Sequence, residues 1–279
     1  MILFHRVSNE RCGPVDELKD YSLADFLSEQ STNFRSALPL VHSAESKSLL
    51  SVIREGKISV TACDTFTDEN LAYFFHGRPS YRKFHENPKD WQLPFVLILK
   101  STCLLNMRRI YPFDSGAFFS GRFPAYLSDF EAEGYELAAQ GSPAIDLIID
   151  IFFGNDVDYL HGKAKPVDEV KQRRKLTVRH SEIQALCAMY NRDQVTADDR
   201  SLAIEIQSGS DVSITDHLIG IVMPRPYFDD KGLKERLRAI NKRIEIRQYD
   251  VWPISTESYM ATIYGLVKDI YRKLGIIDG

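Results

Sequence analysis

Three stretches of this sequence gather side chains able to do chemistry. Leu40-Val-His-Ser ends an apolar run on His42, and the run Ser46–Glu55 that follows closes on Gly56. Tyr73-Phe-Phe-His-Gly-Arg-Pro-Ser-Tyr-Arg82 interleaves aromatic rings with cations, among them Tyr73, Arg78 and Tyr81. Asp199–Gln207 carries Arg200 and then Glu205-Ile-Gln207. A carboxylate on a strand is held more firmly than one on a loop, so Glu205 is a candidate for stabilising charge that develops in a transition state. Gln207 shares its strand face. A histidine at a strand end reaches into a cleft, a guanidinium offers a planar multi-donor cation, and tyrosine rings stack on flat ligands. Plainer roles stand beside each: a satisfied core histidine, a surface arginine in a turn, packed aromatic rings. Phe74 and Phe75 alternate faces with Tyr73, so at least one of them belongs to the core.

Other chemistries find no foothold. The sequence has no GxxxxGK[ST] phosphate loop, no GxGxxG after a strand, no HExxH and no GxSxG elbow. Asp114-Ser115-Gly116 sits in the aromatic stretch Ile110–Ala117, read as a loop without the strand–turn–helix setting of a serine nucleophile; it either borders the site or is a plain Asx-type turn. The seven histidines are dispersed and the four cysteines form no CxxC pair, so no metal site or disulfide framework is expected. Free thiols in a reducing, cytoplasmic setting are the plain reading. Met1–Arg6 shows no basic region leading into an apolar one, and the longest apolar run, Ile145–Phe153, is interrupted by Asp146 and Asp150. Neither a secretory signal nor a membrane span is expected. The net charge of −4 gives no overall polyanion trap. The stretch Lys163–Arg179 nevertheless concentrates seven lysines and arginines, which can contact phosphates or simply form a solvated face.

These side chains need elements to hold them. The 279 residues, 44% hydrophobic and 27% charged, suffice for a substantial core. Helical spacing predicts short helices at Leu23–Leu27, capped by Ser22, and at Ser46–Glu55, ended by Gly56. Further helices are expected at Ser142–Phe153, Lys231–Ile240 and Tyr259–Leu274. Strands are expected at Leu38–His42, Ile58–Val60, Leu71–Phe75, Ala203–Gln207, Leu218–Met223 and Ile244–Tyr249. The apolar run Phe95–Leu99 reads as a central strand. Pro166–Arg174 reads as loop or exposed helix, and Ser181–Tyr190 as either helix or strand. Strands and helices do not alternate strictly, which indicates an α+β fold.

In order and spacing the three stretches resemble the DarT-type ADP-ribosyltransferases, enzymes that modify nucleic acid bases using NAD. His42 with Leu49, Ile53 and Gly56 matches that family's opening strand and helix. Tyr73–Pro79 matches its aromatic strand and following turn, and Glu205 before Leu218–Met223 matches its late glutamate strand. Ile244–Tyr249 with Trp252 resembles the family's close. The likeness covers scattered blocks from Leu38 to Pro253. The family's His-x-Thr is His42-Ser-Ala here, and its Arg-Ser-Pro turn is Gly77-Arg-Pro-Ser.

The resemblance implies mixed and antiparallel sheets around an NAD cleft, with flanking helices, in one domain spanning 1–279. Residues 1–36 would extend it at the N-terminus, and a helical insertion would occupy about 128–190. It implies transfer of ADP-ribose from NAD, with Glu205 and Arg78 in catalysis. His42, Ser43, Tyr73 and Tyr81 would bind NAD, and Gln207 and Arg200 the acceptor. Arg78 would clamp the diphosphate or prepare the acceptor base. Glu182 competes for the catalytic place, since Glu182-Ile-Gln184 repeats the Glu-x-Gln pattern; Glu205 is preferred for the alternation around it and the strand beyond. No metal is required. Nucleic acid is the expected acceptor, as for a bacterial toxin or anti-phage effector with an antitoxin partner. Protein, water, or a non-catalytic nucleotide-binding or immunity role remain the alternatives.

Overall fold

In the computed structural model, residues 19–81, 83–103, 107–191 and 202–278 are described. Their strands are β1 Leu40–Glu45, β2 Lys57–Ile58, β3 Thr61–Ala62, β4 Asn70–His76, β5 Pro94–Leu99, β6 Met107–Tyr111, β7 Glu205–Ser208, β8 Val212–Ser213, β9 Leu218–Pro224 and β10 Glu245–Tyr249. The helices are α1 Leu23–Ser28, α2 Leu49–Glu55, α3 Ser115–Phe119, α4 Ala125–Ser128, α5 Ser142–Ile148, α6 Asp156–Leu160, α7 Val167–Arg174, α8 Ser181–Tyr190, α9 Arg225–Phe228, α10 Lys231–Ile240 and α11 Met260–Lys273. The fold is α+β.

The main sheet runs β10-β9-β5-β1-β4-β7-β6, with β3 added beside β4. Every pairing in it is antiparallel except β9 with β10. All six residues of β5 are buried, as a continuous apolar run in mid-sheet requires. A separate ribbon pairs β2 with β8. Helices α3 to α8 lie between β6 and β7 in the chain, and their apolar residues, such as Ile148, Tyr159, Leu186 and Met189, join the same core cluster as the sheet.

One irregularity in the sheet positions the site. Strand β1 pairs with β5 along its whole length, from Leu40↔Leu99 to Glu45↔Pro94. With β4 it pairs only at Leu40↔His76 and Val41↔Phe75. Beyond Val41 the two strands part. The His42 ring takes up the contact instead, with Nδ1 2.9 Å from the Tyr73 carbonyl oxygen.

Two expectations change. Ile110–Ala117, read as a loop, instead holds the end of the strand Met107–Tyr111 and the start of the helix Ser115–Phe119, which the Asp114 side chain caps. Ser115 therefore does lie in a strand–turn–helix setting. Ser181–Tyr190 is a helix with Glu182 in its first turn.

Candidate functional site

A cavity of about 400 Å³ opens where β1 and β4 part. Its walls come from the end of β1, from α2, from β2 and β4, from Ser80, Tyr81 and Lys83, and from Asp114 and Glu205. Of the candidates drawn from the sequence, it brings together His42, Ser43, Tyr73, Tyr81 and Glu205.

Glu205 opens β7 and is only 1% exposed. Its neighbours across the sheet are Phe75 on β4 and Tyr111 on β6. A buried carboxylate must be met by donors. Ser115 supplies two, its hydroxyl to Oε1 at 2.6 Å and its backbone N–H to Oε2 at 3.2 Å. Gln207 donates from Nε2 to the same Oε1 at 2.7 Å and to the Ser115 hydroxyl at 3.1 Å. The Gln207 carbonyl oxygen accepts from Arg109 Nη1 at 3.2 Å, which fixes which way the amide points. Arg109 is held by Glu69 and lies 4.1 Å over the Phe66 ring. A chain of contacts from Glu69 through Arg109 and Gln207 thus locks the carboxylate at the cavity wall.

His42 stands on β1 between the Phe74 and Phe95 rings. Burial lowers its pKa, against a small opposing effect of the Tyr73 carbonyl, so the ring is neutral at pH 7. A carbonyl oxygen only accepts, so Nδ1 carries the proton and Nε2 presents a lone pair. The Tyr73 hydroxyl meets Cys63 Sγ at 2.7 Å, and the Tyr81 hydroxyl donates to the Gln92 carbonyl at 3.1 Å. Both rings are thereby fixed along the cavity. The hydroxyl oxygens of Ser43 and Ser80, also at its walls, are buried without a hydrogen-bond partner among the described residues. Buried hydroxyls are rarely left so.

Arg78 is placed elsewhere. It is buried behind β4, donating from Nη1 to the carbonyls of Tyr159 at 2.8 Å and Leu160 at 2.7 Å, at the end of α6. The Tyr159 hydroxyl in turn donates to the His76 carbonyl and accepts from the Ile204 N–H. Arg78 therefore supports the strand ends that carry Glu205 and does not line the cavity. Gln207 likewise works through Glu205, being fully buried beneath it. Arg200 lies outside the described residues. Glu182 is away from the cavity, accepting the Leu23 N–H at 2.7 Å at the start of α1, and burial pushes its pKa up to about 7.

Comparison with known protein families, with curated proteins and with solved structures finds no match to this chain. Among the described residues, no three His, Cys, Asp or Glu side chains are grouped to hold a metal ion, and no helix is long and apolar enough to cross a membrane.

The sequence gave the loop of Asp114 and Ser115 as bordering the site or as a plain turn, and it did not single out Ser115, Arg109 or Glu69 as supports of Glu205, nor the lysines of the cavity, Lys47, Lys57 and Lys83. Asp114-Ser115-Gly116 gave a faint signal, since aspartate before a short polar pair also caps helices. The lysines gave none, standing singly in polar stretches.

Proposed function

We propose that the protein is an NAD-dependent ADP-ribosyltransferase that builds an ADP-ribosyltransferase-like NAD cleft between β1 and β4. The observation that carries this reading is Glu205, a buried carboxylate locked by Ser115 and Gln207 at the wall of a cavity formed where the sheet parts. Cleavage of the bond between the nicotinamide nitrogen and ribose C1′ sends the electron pair out with neutral nicotinamide and leaves positive charge on the ribose. The acceptor's nucleophile bonds to C1′ and releases its proton. A fixed carboxylate stabilises that charge more in the transition state than in the ground state, and needs no reorganisation to do so. His42 Nε2 offers an acceptor for a ribose hydroxyl, and Tyr73 and Tyr81 offer rings.

A nucleic acid acceptor is part of the proposal. Among the basic residues of Lys163–Arg179, Lys163 and Lys175 are exposed and Arg173 is 67% exposed. They offer contacts to phosphate groups.

The test is nicotinamide release from NAD by the purified protein, with and without mixed DNA and RNA. Wild type should release nicotinamide, and Glu205→Gln should turn over roughly a hundredfold or more slowly while still binding NAD. Stimulation by nucleic acid would identify the acceptor class. Release that is unaffected by Glu205→Gln would remove the carboxylate from its assigned role, and no release under either condition would leave a nucleotide-binding module.

A further inference from the structure

The cavity has two chemically different ends. Glu205 faces Phe75, which faces Val41, so the carboxylate is level with the start of β1. Glu45 lies four residues further along the same strand, about 13 Å at the usual strand rise. There the walls turn cationic. Lys47 and Lys83 line the cavity and place their ammonium groups 2.7 and 3.0 Å from Glu45 Oε2. Lys57, on β2, also lines it and is held by Asp211 at 2.6 Å.

We propose that this end of the cavity is a phosphate site, and that Lys47 and Lys83, aimed by Glu45, grip the phosphate groups of a nucleoside diphosphate moiety. The proposal rests on the reading of the cavity as a nucleotide cleft, and it names the group that cleft anchors. Glu45 is 6% exposed. Burial would raise its pKa, but hydrogen bonds from Lys47, Lys83 and His85 outweigh this and hold it down to about 2, so it stays charged. One fixed negative charge thus orders two flexible cations. Each ammonium has three donors and gives only part of that capacity to Glu45. Both lysines keep more than half of their side-chain surface open, at 60% and 58%. Glu55, a further carboxylate at the walls, is paired with Arg54. The phosphate role that the sequence suggested for Arg78 passes to these lysines, because Arg78 is used at the end of α6.

The experiment is calorimetric titration of the full chain with ADP, adenosine and inorganic pyrophosphate at low salt. Wild type should bind ADP at least roughly tenfold more tightly than adenosine, as charge-assisted hydrogen bonds require. Lys47→Ala/Lys83→Ala should lose most of that preference while keeping adenosine affinity, and Glu45→Gln should lose part of it. Added salt should weaken ADP and leave adenosine unchanged. Both lysines are on the surface, so thermal midpoints should confirm a folded variant. Equal binding of ADP and adenosine by wild type, no binding of either, or ADP binding unchanged in the double variant would each overturn the proposal. Nicotinamide release, followed in parallel, separates the two readings. Lysine-dependent ADP binding without release keeps the phosphate site and removes the transferase. Release without lysine dependence does the reverse.

Discussion

The Ser115 hydroxyl is both donor to Glu205 Oε1 and acceptor from Gln207, so it sits at the centre of a closed triangle of hydrogen bonds. Such networks hold their members more firmly than isolated pairs. Ser115→Ala removes a charge-assisted bond and leaves Gln207 one acceptor short. The expected result is a fall in kcat of roughly ten- to hundredfold with little change in KM, since the loss is felt where charge develops. A comparable rise in KM alongside the fall in kcat would instead indicate general disruption of the cleft. Glu182 gives a contrasting expectation. Its folded pKa, about 7, lies above the ordinary glutamate value because burial disfavours its charge. Between the unfolded and folded pKa values the unfolded chain gives up the proton first, so stability falls as pH rises from about 4.5 to about 7. Glu182→Gln keeps the carbonyl that meets the Leu23 N–H, and it should flatten that fall in a thermal-midpoint series across pH, with nicotinamide release unchanged. Loss of release would return Glu182 to contention as the catalytic group. Glutamates 182 and 205 share a Glu-x-Gln pattern, and only the elements around them separate the two: one begins a buried strand, the other a helix beneath α1. The strand was legible in the alternation around Glu205, but the helix was not, because Ser181–Tyr190 reads as either helix or strand. The supports of Glu205 were not, because Glu69, Arg109 and Ser115 are distant in sequence and meet only through strand register.

Long, strongly patterned elements were the easiest to anticipate. β5, α10 and the glycine that ends α2 lie where apolar runs, helical spacing and a left-handed cap place them. β6 was missed because its register with β7 shifts between Met107 and Arg109, which breaks the alternation a strand should show. The five-residue helix α3 was missed because Asp-Ser-Gly serves turns and caps alike. The turn after β4 shows how far local chemistry can mislead about a side chain's destination. Gly77 has φ +66°, and a Cβ there would lie 2.6 Å from Leu38 Cδ1, so the chain turns sharply inward. That turn buries Arg78 against Tyr159 and Leu160, whereas arginine in a polar turn reads as exposed or ligand-facing. Arg78→Ala would leave two carbonyls without their charged donor, and about 1.5–3 kcal/mol of stability should be lost. A lower urea midpoint with unchanged ADP affinity in the folded protein is the expected outcome. A tenfold weaker ADP affinity at full stability would instead place the guanidinium in the cleft.

At the scale of the whole molecule, basic residues gather in two places. Lys47, Lys57 and Lys83 line the cavity, whereas the basic residues around α7 lie on the helices that the chain inserts between β6 and β7. Much of that basic run is spent internally: Lys165 bonds the Asp150 carbonyl, Arg174 pairs with Asp150, and Arg179 bonds the Lys19 carbonyl. Composition alone could not reveal this, because a run of lysines and arginines reads the same whether it faces solvent or neighbouring chain. Deleting the stretch would also remove Val170 from the core, so substitutions at Lys163, Arg173 and Lys175 are the sound test. On a single strand, each phosphate deprived of its cation lowers the slope of log affinity against log salt by about 0.7. If all three residues contact an acceptor strand, their replacement by alanine should flatten that slope by about 2 while leaving ADP binding unchanged. Fluorescence anisotropy with a labelled oligonucleotide over a salt series would measure it. An unchanged slope would remove this face from acceptor binding, and stimulation of nicotinamide release by nucleic acid would then have to arise at the cavity mouth.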